Sequence, residues 1–277
     1  MTATPPQISR IPRIITAGLA LAFVVLAVSG LSGCGASRGA GLRDDPVTES
    51  DETPERRRAR IRLELAANYF EEGRTEIALD EIKQVVASDP SFAAAYNLRG
   101  LIYMRMNDPR QAEESLRRSL ALDGRDGDTL HNYGWLLCQT GRDKEAMPAF
   151  DRALANPQYA GRAKTLMAQG ICHARAGRLP EAEASLARSY ELDAANPVTG
   201  YNLARLLFQR GENTRAQFYI RRLNNSEYAN AETLWLGIRV EQRMGDRVAM
   251  GQLADQLRKR YPQSREIAAY DKGVFDE

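Results

Sequence analysis

Small and large apolar residues follow one another in a fixed order along most of this chain. Within residues 131–159 a small residue, Gly134, precedes a turn residue, Gly141. Ala146 and Phe150 come next, four residues apart, a spacing that puts two side chains on one face of a helix. Glycine closes a helix at little cost because it accepts positive φ. The segment therefore predicts two short helices joined by a tight turn.

The turn residue recurs along the chain. Successive turn positions are 34, 34, 36, 34 and 34 residues apart, at Gly73, Asn107, Gly141, Gly177, Gly211 and Gly245. Asparagine is a residue that tolerates the left-handed backbone better than most. A small alanine and a large apolar residue follow most turns, as Ala112 and Leu116 do. This period, with this order of residue sizes, is the pattern of tetratricopeptide (TPR) repeats.

The repeat predicts an all-α, right-handed superhelical solenoid of about six TPR repeats. A hairpin of two helices cannot bury its apolar face alone, and stacking of copies buries it. The predicted repeats, which together span 59–264, are 59–92, 93–126, 127–160, 163–196, 197–230 and 231–264. In the sixth copy Gly237 is displaced by one position and Met250 replaces the small alanine. Residues 265–277 are predicted to form a C-terminal cap and tail.

Residues 1–33 are predicted to be a lipoprotein signal peptide. Two arginines precede an apolar run, 14–28, that is too short for a comfortable membrane span. The run leads into Leu31-Ser32-Gly33-Cys34, which resembles the lipobox of bacterial lipoproteins. In that motif the cysteine is lipidated and becomes the new N-terminus. The alternatives are an ordinary signal peptide with a chance cysteine, or an uncleaved anchor.

Residues 34–58 are predicted to be the lipidated Cys34 followed by a flexible tether. The segment is rich in Gly, Ser, Asp, Glu and Pro and has too few apolar residues to order itself. Gly35, rather than aspartate, follows the cysteine. By the sorting rule that the lipobox resemblance implies, this favours a lipid anchor in the outer membrane, facing the periplasm. The arginines of residues 56–60 are interpreted as a solvated helix start, the alternative being contact with anionic lipid or an acidic partner.

Composition and motifs argue against two classes of function. Charged residues make up 27% of the chain and the formal net charge is +2, so there is no basic excess for a nucleic-acid partner. The sequence contains no Gly-rich phosphate loop, nucleophile elbow or HExxH motif. We therefore predict no catalytic residues, no metal site and no cofactor. Most of the acidic residues are expected on outward, solvated helix faces.

Three cysteines occur, and one of them is Cys34. The remaining pair, Cys138 and Cys172, lies near the ends of the first helices of two neighbouring repeats. An even number of cysteines in an exported chain favours a disulfide between them. The alternative is two buried free thiols that pack as small apolar residues.

The two histidines, His131 and His173, occur in successive repeats. Neither belongs to a Cys/His spacing that would bind zinc. His173 replaces the aromatic residue that usually occupies its inward position. It is therefore predicted to be a packed core histidine.

The first helices of the repeats are predicted to line a concave groove that binds a protein partner. Trp, Tyr and Arg, which are frequent in binding hot spots, occur among the groove positions. We expect about half of these side chains to be accessible, with the rest packing between neighbouring first helices. The predicted groove residues are Leu63, Phe70, Asn97, Leu101, Met104, His131, Trp135, Gln139, Met167, Ile171, Tyr201, Arg205, Phe208, Trp235 and Arg239.

The third repeat carries the motif NYGWLLCQTGR-x-x-EA-x-x-x-F-x-x-AL-x-NP-x-Y over residues 132–159. With the lipobox, the acidic tether and the segments 168–197 and 201–223, it resembles the type IV pilus biogenesis lipoproteins called PilF or PilW. The resemblance covers essentially the whole mature chain. It implies an outer-membrane pilotin that helps the pilus secretin reach the outer membrane and assemble into its multimeric channel. It also implies paired cysteines at Cys138 and Cys172.

Three functions follow as hypotheses from the sequence. In the first, a monomeric, non-enzymatic lipoprotein binds secretin subunits in its groove. The alternative within the same class is a periplasmic TPR scaffold for cell-envelope or peptidoglycan assembly. A third is a solenoid that recruits or activates a cell-wall hydrolase or synthase.

Overall fold

The computed structural model describes residues 52–275, and all the regular structure in this part of the chain is helical. The helices are α1 (Pro54–Glu71), α2 (Thr75–Ser88), α3 (Ala93–Arg105), α4 (Pro109–Leu122), α5 (Gly127–Gln139), α6 (Asp143–Ala155), α7 (Arg162–Arg175), α8 (Leu179–Leu192), α9 (Pro197–Gln209), α10 (Asn213–Asn224), α11 (Ala231–Met244), α12 (Arg247–Arg260) and α13 (Arg265–Asp271).

The helices from α1 to α12 pair into six hairpins. In each hairpin an odd-numbered helix packs against the even-numbered helix that follows it, and the latter packs against the first helix of the next hairpin. The predicted all-α TPR solenoid is therefore confirmed. The short helix α13 packs against α11 and α12 at the C-terminal end of the stack.

Every predicted turn residue has a positive φ. The five glycines have φ between 74° and 78°, and Asn107, the one exception to glycine, has a φ of 58°. In this region a side chain with a Cβ atom is strained, and asparagine tolerates it better than most. The turn positions inferred from the period are confirmed.

A small residue on each first helix makes room for a large one on the second. A Cβ atom at Gly134 would lie 2.7 Å from Cε1 of Phe150, whose side chain is completely buried. Gly170 has the same relation to Leu186, at 2.6 Å from its Cγ. In both pairs the large residue comes 16 positions after the glycine. The close crossing of the two helices in a hairpin depends on this pairing of sizes.

In the sixth repeat the large residue is on the first helix and the small residue is on the second. Ile238 occupies the position that is glycine or alanine in the other repeats, and Ala254 occupies the position of the large residue. Both are buried in one cluster with Leu257. The irregularity of this repeat is therefore a compensated exchange, because a large residue on the first helix meets a small one on the second.

The turn residues Gly141 and Gly177 are 36 rather than 34 positions apart, and the loop between α6 and α7 contains the two extra residues. Tyr159, in this loop, is buried and packs so closely on Gly127 and Gly161 that a Cβ at either glycine would lie 2.4 Å from its side chain. Its hydroxyl lies 3.0 Å from Oγ1 of Thr165. The longer loop is thus held against the starts of α5 and α7.

The solenoid begins earlier than predicted. Helix α1 starts at Pro54, capped by Thr53, which accepts a 3.2 Å hydrogen bond from the Arg56 amide. Residues 54–58, assigned above to the tether, are therefore helical. The arginines there are in ion pairs, such as Arg56 with Asp89 at 2.5 Å. The predicted signal peptide, Cys34 and most of the tether lie outside the described residues. Within residues 52–275, no helix combines the length and the apolar character that a membrane crossing requires.

Candidate functional site

Five of the predicted groove residues lie around one cavity near the C-terminal end of the solenoid. The cavity has a volume of about 500 Å³ and is bounded by α9, α11 and α13. The groove residues that line it are Tyr201, Arg205, Phe208, Trp235 and Arg239. The structure thus gathers one third of the groove set into a single concave site.

Guanidinium groups outnumber carboxylates in this cavity. Arg205, Arg239 and Arg265 line it together with Glu232 and Glu266. Side chains of the cavity already bind both carboxylates. The Tyr201 hydroxyl donates to Glu232 Oε1 at 2.6 Å, and Arg265 Nε lies 3.0 Å from Glu266 Oε1. The lining therefore carries one more guanidinium group than it has carboxylates.

Aromatic rings form the apolar part of the same cavity. The Arg239 guanidinium lies 5.1 Å from the centre of the Phe208 ring, and that of Arg205 lies 5.9 Å from the Tyr201 ring. Both distances are within the range of cation–π attraction. Burial, followed by the hydrogen bond to Glu232, raises the pKa of Tyr201 above its ordinary value. The cavity suits an apolar segment that carries a carboxylate.

Trp235, one of the predicted groove residues, lines the cavity but is almost completely buried. Its side chain is only 9% exposed, and its ring stacks on that of Phe275 at a centroid distance of 5.6 Å. Arg265, Glu266 and Ala269 of the C-terminal segment also line the cavity. Sequence reasoning missed these residues because the segment after the last repeat carries no repeat signal.

The N-terminal part of the groove set is half-buried between neighbouring first helices. Leu63 and Phe70 pack against the core of the first repeat, and Met104 packs against that of the second. Asn97 accepts a 2.9 Å hydrogen bond from the Asn132 side chain. The remaining members of the set here are half-buried Leu101, Met167 and Ile171 and exposed Gln139. Most of these side chains thus contact other side chains of the solenoid.

His131 is one of the groove positions that pack between neighbouring first helices, as expected for part of the set. It is 7% exposed, and its Nδ1 atom lies 3.0 Å from Thr165 Oγ1, across the boundary between α5 and α7. Burial, with a smaller effect of the Lys164 charge, lowers the pKa of His131 from 6.5 to about 4. The imidazole is therefore neutral at physiological pH and belongs to the core between two repeats.

The lowered pKa of His131 predicts an acid sensitivity. Because the folded-state pKa lies below the unfolded value, its contribution is complete above 6.5 and is lost as pH falls from 6.5 towards 4. Between about pH 7.5 and about pH 4.5, wild type should lose roughly 2–3 kcal/mol more unfolding free energy than His131→Asn. Urea titrations of both proteins at several pH values measure this difference. Parallel pH curves would contradict it.

Cys138 and Cys172 form a disulfide that joins α5 to α7. Their Cα atoms are 5.8 Å apart, and neither side chain is exposed. Asp143 Oδ1 lies 3.0 Å from Cys172 Sγ. The three side chains place potential metal ligands within 4.8 Å of one another, but sulfur atoms bound to each other offer no thiolate. Trp135 is half-buried against this cluster.

Two further polar residues differ from expectation. His173 is half-buried rather than packed in the core, and its Nδ1 accepts a 2.9 Å hydrogen bond from Arg178 Nε. Burial, and then the charge of Arg178, lower its pKa. Glu241 is completely buried, an exception to the expectation that most acidic residues lie on solvated faces. Its carboxylate accepts hydrogen bonds from Gln217 and Arg221, both at 2.7 Å, which compensates the burial of its charge.

Comparison with known proteins agrees with this architecture. Two family profiles, both described as tetratricopeptide repeat, match residues 91–158 and 63–105. The type IV pilus assembly protein PilF of Pseudomonas aeruginosa is 29% identical over 257 residues, which cover 90% of this chain and 96% of PilF. The crystal structure of PilW, described as a widely conserved type IV pilus biogenesis factor, is 30% identical. It superimposes with a TM-score of 0.72 over 76% of this chain and 97% of PilW. The chain belongs to the PilF/PilW family.

A structure of Pseudomonas aeruginosa PilF extends this family relation. It superimposes with a TM-score of 0.73 at 25% identity, covering 80% of this chain and all of the PilF structure. The relation therefore includes nearly the full length of both relatives. The chain is a TPR protein of a type IV pilus biogenesis family, built on a fold that serves protein–protein interaction.

Proposed function

We propose that this protein is a non-enzymatic outer-membrane lipoprotein that binds the type IV pilus secretin and promotes its multimerisation. The observation that carries the proposal is the kinship with PilF and PilW over nearly the whole length of both. A TPR solenoid offers a concave surface for a partner and gives no reason to expect catalysis. In this proposal the protein acts as a pilotin, facing the periplasm.

The cavity near the C-terminal end is proposed as the main contact for the secretin. It combines the rings of Tyr201 and Phe208 with an excess of guanidinium groups, among them exposed Arg205. Aromatic and arginine side chains supply much of the energy of protein interfaces. An apolar secretin segment with an acidic residue would complement both the rings and the charge.

The proposed lipid at Cys34 has a separate role. A protein held at the membrane surface keeps its bound partner there at a high effective concentration, without any further contact. The tether would allow the solenoid to reach the secretin away from the lipid. The anchor is thus proposed to deliver the secretin, and the cavity to hold it.

The first test is the state of the secretin in a strain that lacks this gene. Gels of unboiled membrane fractions separate secretin multimers from monomers. We expect the multimers to disappear in the deletion strain, to return with wild type and to remain reduced with Cys34→Ala. Normal multimers at normal abundance in the outer membrane of the deletion strain would overturn the proposal and favour the envelope-scaffold alternative.

The second test addresses the cavity. Arg205→Glu reverses an exposed charge at its edge and should reduce secretin multimers at least several-fold while the solenoid stays folded. Arg110→Glu makes the same change at an exposed position at the start of α4, outside the groove set, and serves as the matched control. Equal multimer levels with both variants, at equal protein abundance, would show that the secretin does not depend on this cavity.

A further inference from the structure

The fifth repeat lacks a core side chain that its neighbours have. The fourth residue of a repeat is large and buried in the second, third, fourth and sixth copies, where it is Tyr96, Leu130, Leu166 and Leu234. In the fifth repeat this residue is Gly200. A Cβ atom at Gly200 would meet no atom within 4 Å. The space that this side chain would occupy is therefore open.

The surroundings of Leu130 show which residues normally enclose this side chain. Leu130 packs against Ala153 of its own repeat, Tyr159 of the following loop and Leu120 of the preceding repeat. Around Gly200, the positions of Ala153 and Leu120 are taken by Leu223 in α10 and Tyr190 in α8. The counterpart of Tyr159 is Tyr228, the tyrosine of the following loop, which comes one position earlier in its repeat.

All three matching residues line a cavity of about 250 Å³, together with Gly200 itself. The cavity therefore occupies the space that the fourth side chain fills in the other repeats, and the residues that would enclose that side chain are present. An engineered apolar cavity of about 150 Å³ already holds a benzene molecule. The cavity at Gly200 is consequently large enough for a leucine or phenylalanine side chain.

Polar groups at this cavity indicate what accompanies the apolar group. The Tyr190 hydroxyl is buried and has no hydrogen-bond partner among residues 52–275. Exposed Arg222 also lines the cavity, its guanidinium 5.8 Å from the Tyr190 ring, and no carboxylate of the described residues is ion-paired with it. An unpaired arginine at the mouth of an apolar cavity favours a ligand with a carboxylate beside its apolar part.

The surface around the mouth is also apolar. A second cleft, of about 360 Å³, adjoins the first and shares Pro197, Leu223 and Tyr228 with it. Val198 and Tyr228, which line this second cleft, are 45% and 49% exposed. A peptide that inserts one side chain at Gly200 would therefore find further apolar contacts on this surface.

We propose that the cavity at Gly200 is a docking site for a leucine or phenylalanine side chain of a partner segment that carries a carboxylate next to it. None of the residues that line the cavity belongs to the predicted groove set. The cavity at Gly200 is therefore distinct from the groove cavity and lies at the α8–α9 and α10–α11 loops. The adjoining second cleft shares Tyr201 and Glu232 with the groove cavity. Docking at Gly200 does not depend on the proposed role of the groove.

The test replaces Gly200 with leucine, the residue that three other repeats have at this position. Gly200→Leu should fold like wild type, since the position has room and leucine favours helix more than glycine does. The probe is N-acetyl-phenylalanine, a ring with a carboxylate, and its binding to the intact protein is followed by saturation-transfer NMR. We expect saturable binding to wild type and at least a tenfold weaker interaction with Gly200→Leu.

Two controls make the test specific. Gly251→Leu introduces the same side chain at another helical glycine whose Cβ position is open, in α12, and should leave probe binding unchanged. Arg222→Gln should weaken binding of N-acetyl-phenylalanine to the level of its uncharged amide and leave binding of the amide unaffected. Equal binding of the probe to wild type and folded Gly200→Leu, or no saturable binding to wild type at millimolar probe, would overturn the proposal. If Gly200→Leu does not fold, binding that is indifferent to Arg222→Gln overturns it.

Discussion

Phe150→Ala is expected to lower the free energy of unfolding by about 3–5 kcal/mol. The Phe150 side chain is completely buried in the core of the third repeat, in a cluster with the disulfide and Ala146. Removing it leaves a cavity between α5 and α6 that the facing glycine, Gly134, cannot fill. Urea unfolding followed by circular dichroism measures the loss.

The sixth repeat suggests a compensating change for this variant. Gly134→Ile alone should cost about 3 kcal/mol or more, because its Cβ would already lie 2.7 Å from the Phe150 ring. Combined with Phe150→Ala it reproduces the Ile238–Ala254 arrangement of the last hairpin. The double variant should therefore be more stable than the sum of the single effects implies, by about 2–3 kcal/mol.

A matched pair of substitutions tests whether this compensation is specific. Gly134→Ile with Leu186→Ala combines changes at the same two repeat positions, but in different hairpins, so its two effects should add. Additive effects in Gly134→Ile/Phe150→Ala as well would mean that size exchange across a hairpin does not explain the sixth repeat.

Removal of the disulfide is expected to have the second large effect on stability. The bond closes a loop between residues 34 positions apart, which restricts the unfolded chain by about 3–4 kcal/mol in the loop-entropy estimate. Cys138→Ala/Cys172→Ala should lose about this amount. Hydrogen exchange should show the loss mainly in α5, α6 and α7, since the repeats of a solenoid contact only their neighbours.

Reducing agent provides the control for this prediction. It should destabilise wild type by a similar amount and leave the double alanine variant unchanged, because that variant has no bond to reduce. Mass spectrometry of unfolded, non-reduced protein should show neither Cys138 nor Cys172 open to alkylation. Alkylation of both would mean that the pair exists as two buried thiols.

The sequence by itself determined the repeat, and with it most of the fold. Turn residues such as Gly141 and Asn107 need a positive φ, and pairs such as Gly134 and Phe150 need complementary sizes. These are local requirements that the chain repeats about every 34 residues, so they can be counted without coordinates. The same blocks of residues also carried the resemblance to the PilF/PilW family.

The tertiary structure alone decided which groove positions are accessible. Trp235 matched a groove position, yet Phe275, 40 residues later, covers it. His131 matched another, but it turns towards Thr165 of the next repeat. Position within a repeat fixes the direction of a side chain relative to its own helix. It does not report what a terminal segment or a neighbouring repeat places over that side chain.

The cavity at Gly200 also depends partly on the sequence and partly on the folded structure. Its cause, a glycine where other repeats have a large residue, is present in the sequence. Whether the vacancy is filled depends on the side chains of three other elements, among them Tyr190 and Leu223, and here they leave about 250 Å³ open. Repeat periodicity fixes local geometry. The volume that stays empty depends on how side chains from distant parts of the chain pack together, and only the folded structure decides that.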